Sequence, residues 1–194
     1  SGLAMNTTAW PFDDIKVRKA FSYLWDVKSL NEKLFFNEYY KKNSWYPFSK
    51  YEHPDNPEQY FNPDLALELL NDAGWIKKSG EKWLSKDEKI FEIDMYIAQG
   101  NDRIFNPLVS DLDAIGIKLN LVVIQNPFDK FIDKTYTLYY GGWTGSSLPS
   151  PEGMLHSKYA NEIDVTNATG MANPEIDKLI EKYNRNWNLE ERIK

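Results

Sequence analysis

Apolar residues at Val17, Ala20, Phe21, Leu24 and Trp25 recur at i, i+3, i+4, i+7 and i+8, the spacing of one buried helix face. The residues ahead of them specify its entrance. Pro11 stiffens the approach, Asp13 is placed as the N-cap, and Phe12 and Val17 are placed to staple the first turn. Asp14 sits where the helix dipole favours negative charge and can pair with Arg18 one turn on. A short strand, Leu3 to Thr7, is predicted before this helix, and a second helix over about Val27 to Phe36 after it. From Asn37 to Phe61 the chain is rich in Tyr, Asn and Pro and shows no period. It reads as a long surface excursion, either functional or draped over the core.

Punctuation is clearer downstream. Asn62-Pro63 opens a helix with Leu65, Leu69, Leu70 and Ala73 on its apolar face; Gly74 ends it, with Trp75 folding back on Leu70. A hairpin is predicted around Gly80. Phe91, Ile93, Met95 and Ile97 alternate with Glu92, Asp94 and Tyr96, the period of a half-buried strand. A helix over 103–115 carries Ile104, Phe105, Leu108, Val109 and Leu112 on one face, and Pro107 predicts that it starts later than this pattern. Gly116 stops it, strand Ile117 to Ile124 follows, Asn126-Pro127 starts a short helix, and Tyr136 to Gly141 reads as a strand. This alternation predicts an α/β fold, with a mixed, largely parallel sheet flanked by helices and right-handed crossovers. Asn173-Pro174 caps a helix through about Arg185, and a new helical pattern begins after Asn188.

Composition narrows the classes of function. Of the 194 residues, 42% are hydrophobic and 27% charged, an ordinary globular balance. Aromatic content is 15%, with 7 Trp and 12 Tyr; much of it must be core, and such rings also suit binding surfaces. Net charge is −6, and the only arginines are Arg18, Arg103, Arg185 and Arg192. No basic stripe interleaves with the aromatics, so nucleic acid is not an expected partner. No apolar run approaches the ~20 residues of a membrane span. The start, Ser1-Gly2-Leu3-Ala4-Met5-Asn6, lacks the basic flank and apolar stretch of a signal peptide. Either the protein is cytosolic or a targeting segment lies upstream. The absence of cysteine removes disulfides, thiolate nucleophiles and Cys-based zinc sites together.

Catalytic signatures are missing. There is no G-x-S-x-G elbow, no H-E-x-x-H pair and no P-loop. His53 and His156 lie far apart, neither has a second histidine at ligand spacing, and both read as surface or hydrogen-bonded histidines. Asp111 and Asp113, two apart on a helix, point to different faces and read as solvated. No catalytic residue, metal or cofactor is expected. The segment Gly141-Gly142-Trp143-Thr144-Gly145-Ser146-Ser147 is different. Three glycines around a tryptophan, directly after a predicted strand, let the backbone approach another group closely. Ligands of α/β sheets bind beyond the carboxyl ends of strands, where this loop falls. A glycine-rich turn around a buried Trp is the alternative.

Several motifs together resemble the peptide-type extracellular solute-binding proteins of ABC importers, family 5. Pro11-Phe12-Asp13-Asp14 with Val17-Arg18 and Ala20 is similar to their PFDD-x-x-VR-x-A segment, preceded by Met5-Asn6-Thr7 as a strand ending in Asn. Asp64 with Leu69-Leu70 and Ala73-Gly74-Trp75 resembles their D-x-x-x-A-x-x-LL-x-x-AGW helix. Leu112 with Ile115-Gly116-Ile117, then Gly142-Trp143, then Asn167 with Asn173-Pro174-Glu175-Ile176-Asp177 follow in the family's order. Leu34-Phe35-Phe36-Asn37 through Tyr40, with Asn43-Ser44-Trp45-Tyr46, resembles the oligopeptide receptors related to the microcin C importer.

What the resemblance implies is one lobe of a type II periplasmic-binding-protein fold. Residues 1–194 would form a single α/β lobe, most of the carboxyl-terminal one, cut at both ends relative to a two-lobed receptor. Its ligand would be an oligopeptide, its partner a membrane permease, its compartment the periplasm and its state a monomer. Trp143 would offer a ring face, Gly141, Gly142 and Gly145 their backbone, and Thr144, Ser146 and Ser147 hydrogen bonds. In several oligopeptide receptors an acidic residue three positions after the GW tryptophan binds the ligand's amino terminus. Ser146 stands there in this chain, and a serine does not replace a charge-assisted carboxylate contact. Two rivals use other classes: the sensor domain of a cytosolic transcriptional regulator, and a small α/β hydrolase lacking any visible nucleophile and base.

Overall fold

A computed structural model describes residues 1–142, 149–164 and 166–193. Strand β1 (Gly2–Met5) leads to helices α1 (Ile15–Phe21), α2 (Val27–Leu34) and α3 (Pro63–Asp72). Three short strands follow: β2 (Ile76–Lys77), β3 (Leu84–Lys86) and β4 (Lys89–Ile90). Then β5 (Glu92–Ile97), α4 (Asp102–Ile115), β6 (Lys118–Val123), α5 (Pro127–Ile132) and β7 (Leu138–Gly141) alternate. Helix α6 (Glu152–Leu155), a 3-10 turn (Ser157–Tyr159), α7 (Pro174–Arg185) and α8 (Leu189–Ile193) come last.

The main sheet has the order β1-β7-β5-β6. Strand β5 pairs in parallel with β6, from Glu92↔Lys118 to Ile97↔Val123, and with β7 through Met95↔Leu138 and Tyr96↔Tyr139. Strand β1 runs antiparallel to β7, with Gly2 opposite Gly141 and Met5 opposite Leu138. The sheet is thus mixed and largely parallel, as the alternation predicts. Strands β2, β3 and β4 form a separate antiparallel sheet that contains the hairpin around Gly80. Its second turn, Asp87-Glu88, has positive φ at both residues (49° and 63°), the backbone of a two-residue primed turn.

Side-chain alternation divides the core. Ile93, Met95, Ile97, Leu119 and Leu138 meet Phe21, Leu24, Leu70, Phe105, Leu108 and Leu112 on one face of the main sheet, all of them buried. Each such side chain contributes roughly 2 kcal/mol by leaving water. Phe12 meets Phe21 edge-on with centroids 4.7 Å apart, and Trp75 lies 4.1 Å from Phe91. On the opposite face, Phe131 stacks on Tyr139 at 4.6 Å, with Ala4, Tyr136 and Ala168 around it.

Local signals set the helix ends. Asn62 Oδ1 accepts from the Leu65 N–H at 3.1 Å, and Asn173 Oδ1 from the Glu175 N–H at 2.9 Å. At the exits, Gly74 (φ 88°) and Gly116 (φ 96°) adopt the left-handed conformation. There the Trp75 N–H reaches Leu70 O and the Ile117 N–H reaches Leu112 O, both at 2.9 Å, the Schellman arrangement.

Three expectations change. The cap of α1 is Asp14, not Asp13: Asp14 Oδ1 accepts from the Lys16 N–H at 2.8 Å, because the N–H groups of Phe12 and Asp13 first turn back on Ala9 O. Arg18 does not pair with Asp14; its Nη1 donates to the carbonyls of Phe12 (2.6 Å) and Asp13 (3.1 Å), tying down that same turn. Finally, α4 begins at Asp102 and keeps Pro107 inside. The missing N–H falls on an exposed side of the helix, where water can reach the carbonyl of Arg103.

Candidate functional site

Parallel pairing brings the carboxyl ends of β5, β6 and β7 to one edge of the sheet. Strand β7 stops there at Gly141, which is buried, and Gly142 emerges exposed. A Cβ built on Gly142 would meet nothing within 4 Å among the described residues, and no left-handed φ demands glycine there. Those residues leave the space over this backbone open and do not require the glycine. Beneath it, Tyr140 packs edge-on against Phe105 at 5.1 Å and Trp25 at 5.8 Å. The Tyr140 and Ser1 hydroxyls hydrogen-bond at 2.8 Å. The indole N–H of Trp25 is buried and finds no hydrogen-bond partner among the described residues.

Of the predicted site residues, the structure places Gly141 and Gly142 at this edge. Trp143, Thr144, Gly145, Ser146 and Ser147 lie outside the described residues. Beyond them, Pro149 and Ser150 are each bonded through the main chain to a tyrosine. The Tyr183 hydroxyl donates to Pro149 O at 2.9 Å, and the Ser150 N–H donates to the Tyr46 hydroxyl at 3.2 Å. Pattern reasoning missed both tyrosines. A groove of ≈ 340 Å³ opens beside them, lined by Tyr46, Tyr51, Pro149, Leu179 and Tyr183. Further on, the Ser157 N–H donates to Asp177 Oδ1 at 2.9 Å, and Glu152 accepts from Lys158 and Asn184.

The titratable groups serve structure. His53 Nδ1 accepts from the Asp55 N–H (3.1 Å), and His156 Nδ1 from the Lys158 N–H (3.2 Å), each closing a local turn. His156 also lies 3.4 Å from Asp177. Asp113 pairs with Lys82 at 2.6 Å, at the surface. Asp111 departs from the solvated reading: burial, and then the charge of Asp26, push its pKa up. Burial likewise raises the phenol of Tyr136, with Tyr139 adding to it, and the hydroxyl donates to Ala168 O at 3.0 Å. Among the described residues, no three His, Asp or Glu side chains converge to hold a metal ion, and no helix is long and apolar enough to cross a membrane.

Residues 1–164 match the family model of the bacterial extracellular solute-binding proteins, family 5, middle region. The chain belongs to this family. Among curated relatives, the uncharacterized protein YejA of Escherichia coli is 24% identical over 216 residues, covering 92% of this chain and 35% of YejA. Heme-binding protein A of Haemophilus influenzae is 28% identical over 204 residues, covering 99% and 35%. The chain therefore spans about a third of the length of these curated relatives. Among solved structures, the oligopeptide-binding protein AppA of Bacillus subtilis, in complex with a nonapeptide, superposes with a TM-score of 0.88. The match covers 98% of this chain and 40% of AppA at 22% identity, and shows the fold. That fold is the type II periplasmic-binding-protein architecture. The proteins of this family are extracellular solute-binding proteins.

Proposed function

We propose that residues 1–194 form a single ligand-binding lobe of a periplasmic receptor that captures oligopeptides and delivers them to an ABC permease. The observation that carries this reading is the open space over the Gly142 backbone, at the carboxyl edge of the parallel strands. Recognition through backbone and small polar groups suits ligands whose side chains vary. Trp143 supplies a ring face, Gly141, Gly142 and Gly145 supply main-chain groups, and Thr144, Ser146 and Ser147 supply adaptable hydrogen bonds. With Ser146 where a carboxylate would meet an ammonium group, the loop does not select for a free amino terminus. The nonapeptide complex of AppA and the family membership support peptide cargo. The receptor works as a monomer by hinge closure around the ligand and carries out no catalysis.

Titration calorimetry of the full-length protein with a tryptic casein digest tests this, with hemin as the contrasting cargo. Binding of peptides that is lost in Trp143→Ala is the expected result. Binding of hemin alone, or peptide binding that Trp143→Ala leaves intact, overturns the cargo or the site respectively.

A further inference from the structure

The groove of ≈ 340 Å³ runs between the irregular excursion, which supplies Tyr46 and Tyr51, and helices α7 and α8, which supply Leu179, Lys182, Tyr183 and Arg192. Its walls are apolar. Tyr46 and Tyr51 meet edge-on with centroids 6.3 Å apart, and Leu179 is left 65% exposed. The hydroxyls of Tyr46 and Tyr183 are taken up by Ser150 and Pro149, whereas that of Tyr51 is buried without a partner among the described residues. The cations of the groove are also unmatched. No carboxylate among the described residues stands within ion-pair distance of Lys182 or Arg192. Glu191, the acid on the lining, is engaged by the Asn186 side-chain amide at 2.7 Å. Arg192 is held in place nonetheless: its guanidinium lies 4.8 Å from the Tyr183 ring centroid and 5.8 Å from that of Trp187, and its Nε donates to Asn186 O.

We propose that this groove is a binding site for a small aromatic carboxylate, whose ring lies against Leu179, Tyr46 and Tyr51 and whose carboxylate meets Arg192 and Lys182. The two halves of the ligand follow from the two halves of the lining. Apolar and aromatic walls favour a flat apolar body, which gains by leaving water. Cations without acids favour an anionic head, and a guanidinium already stacked on rings loses less freedom on meeting a carboxylate than a free one does. An acceptor entering the groove also offers the Tyr51 hydroxyl the partner it lacks, if the ring turns toward it. The volume falls within the range of small-molecule pockets, which begins near about 300 Å³. The site uses no part of the loop after Gly142 and does not depend on peptide cargo.

Calorimetric titration of the full-length protein with 2-naphthoate tests this, with 2-naphthamide as the same ring without the charge. The carboxylate should bind, and the amide about ten-fold more weakly. Arg192→Gln should raise the dissociation constant for 2-naphthoate about ten-fold, the worth of one charge-assisted hydrogen bond. Lys182→Gln should raise it less, because that flexible side chain is exposed. Leu179→Glu changes another exposed position, so the fold persists, and it sets an acid in the groove; binding should be abolished there. Absence of 2-naphthoate binding overturns the proposal, and is also the result expected if another part of the polypeptide fills the groove. Equal affinity for the amide overturns the role of the cations. Binding that survives both Arg192→Gln and Leu179→Glu overturns the assignment to this groove.

Discussion

The side-chain amide of Asn6 donates to the main-chain carbonyl of Tyr136 at 3.0 Å, joining the exit of β1 to the approach of β7. The same amide donates to Lys134 O at 3.0 Å, and Oδ1 accepts from both the N–H and the hydroxyl of Thr8. Asn6 is 2% exposed and Tyr136 is buried with it, so that carbonyl depends on the amide rather than on water. Asn6→Leu should destabilise the protein by about 3 kcal/mol, because it strands the Tyr136 carbonyl and removes three further bonds with it. Asn6→Asp should cost more, since a carboxylate would face two carbonyl oxygens. Urea denaturation reads both; a loss below that of an ordinary surface substitution would remove Asn6 from this role.

Gly170 holds φ at +67°, and a Cβ there would sit 2.7 Å from Thr8 Cγ2. Gly80 has a similar φ of +81° but open space around it. Gly80→Ala should therefore cost about 1 kcal/mol of backbone strain, and Gly170→Ala clearly more. Thr8→Ser removes the obstructing methyl and keeps the hydroxyl bond to Asn6. In a double-mutant cycle, Gly170→Ala and Thr8→Ser should couple favourably by about 1 kcal/mol. Strict additivity would show that the backbone, not the methyl, sets the cost.

Asp111 gives a pH dependence. Burial first, and the Asp26 carboxylate second, raise its pKa above 3.8, while the main-chain N–H of Asp26 partly offsets them. The unfolded chain therefore loses this proton at lower pH than the folded one, and ionisation destabilises the fold. The penalty is absent below the unfolded value, grows through the window between the two, and is complete above the raised value. Asp111→Asn, which keeps an acceptor for that N–H, should raise the melting temperature at neutral pH. The gain should shrink to nothing as pH falls through the window. A gain that persists in acid would point to packing rather than charge.

Pro107 sits inside α4 with its ring exposed. Pro107→Ala restores a donor for Arg103 O, and should stabilise the protein by about 2 kcal/mol after the looser unfolded state is counted. Thermal melts would show it. No change would mean that the helix already accommodates the ring without strain.

What was legible in the sequence follows the range of the forces involved. Asn62-Pro63 and Asn173-Pro174 are read correctly because cap and helix are adjacent, and Gly74 and Gly116 because a left-handed exit is a one-residue requirement. The alternation over Phe91–Ile97 gives the strand and its buried face for the same reason. The Asp14 cap escapes because two neighbouring aspartates are equally good acceptors; Ala9 O, drawing back the N–H groups of Phe12 and Asp13, decides between them. The turn Asp87-Glu88 lacks the asparagine or glycine that usually announces its backbone. At the site, glycines after a strand point to Gly141 and Gly142. Tyr46 and Tyr183 carry no such mark, since the residues they hold are 104 and 34 positions away.

The atoms held at Pro149 and Ser150 are a carbonyl oxygen and an amide nitrogen, which every residue possesses, save that proline lacks the amide hydrogen. Glycine 141 is likewise held through sheet pairing of its main chain. These three holds use main-chain atoms only, so they do not depend on which side chains residues 141, 149 and 150 carry. On the proposed reading of the site, a scaffold held in this way can diversify its cargo by changing a handful of adjacent codons while these main-chain holds persist.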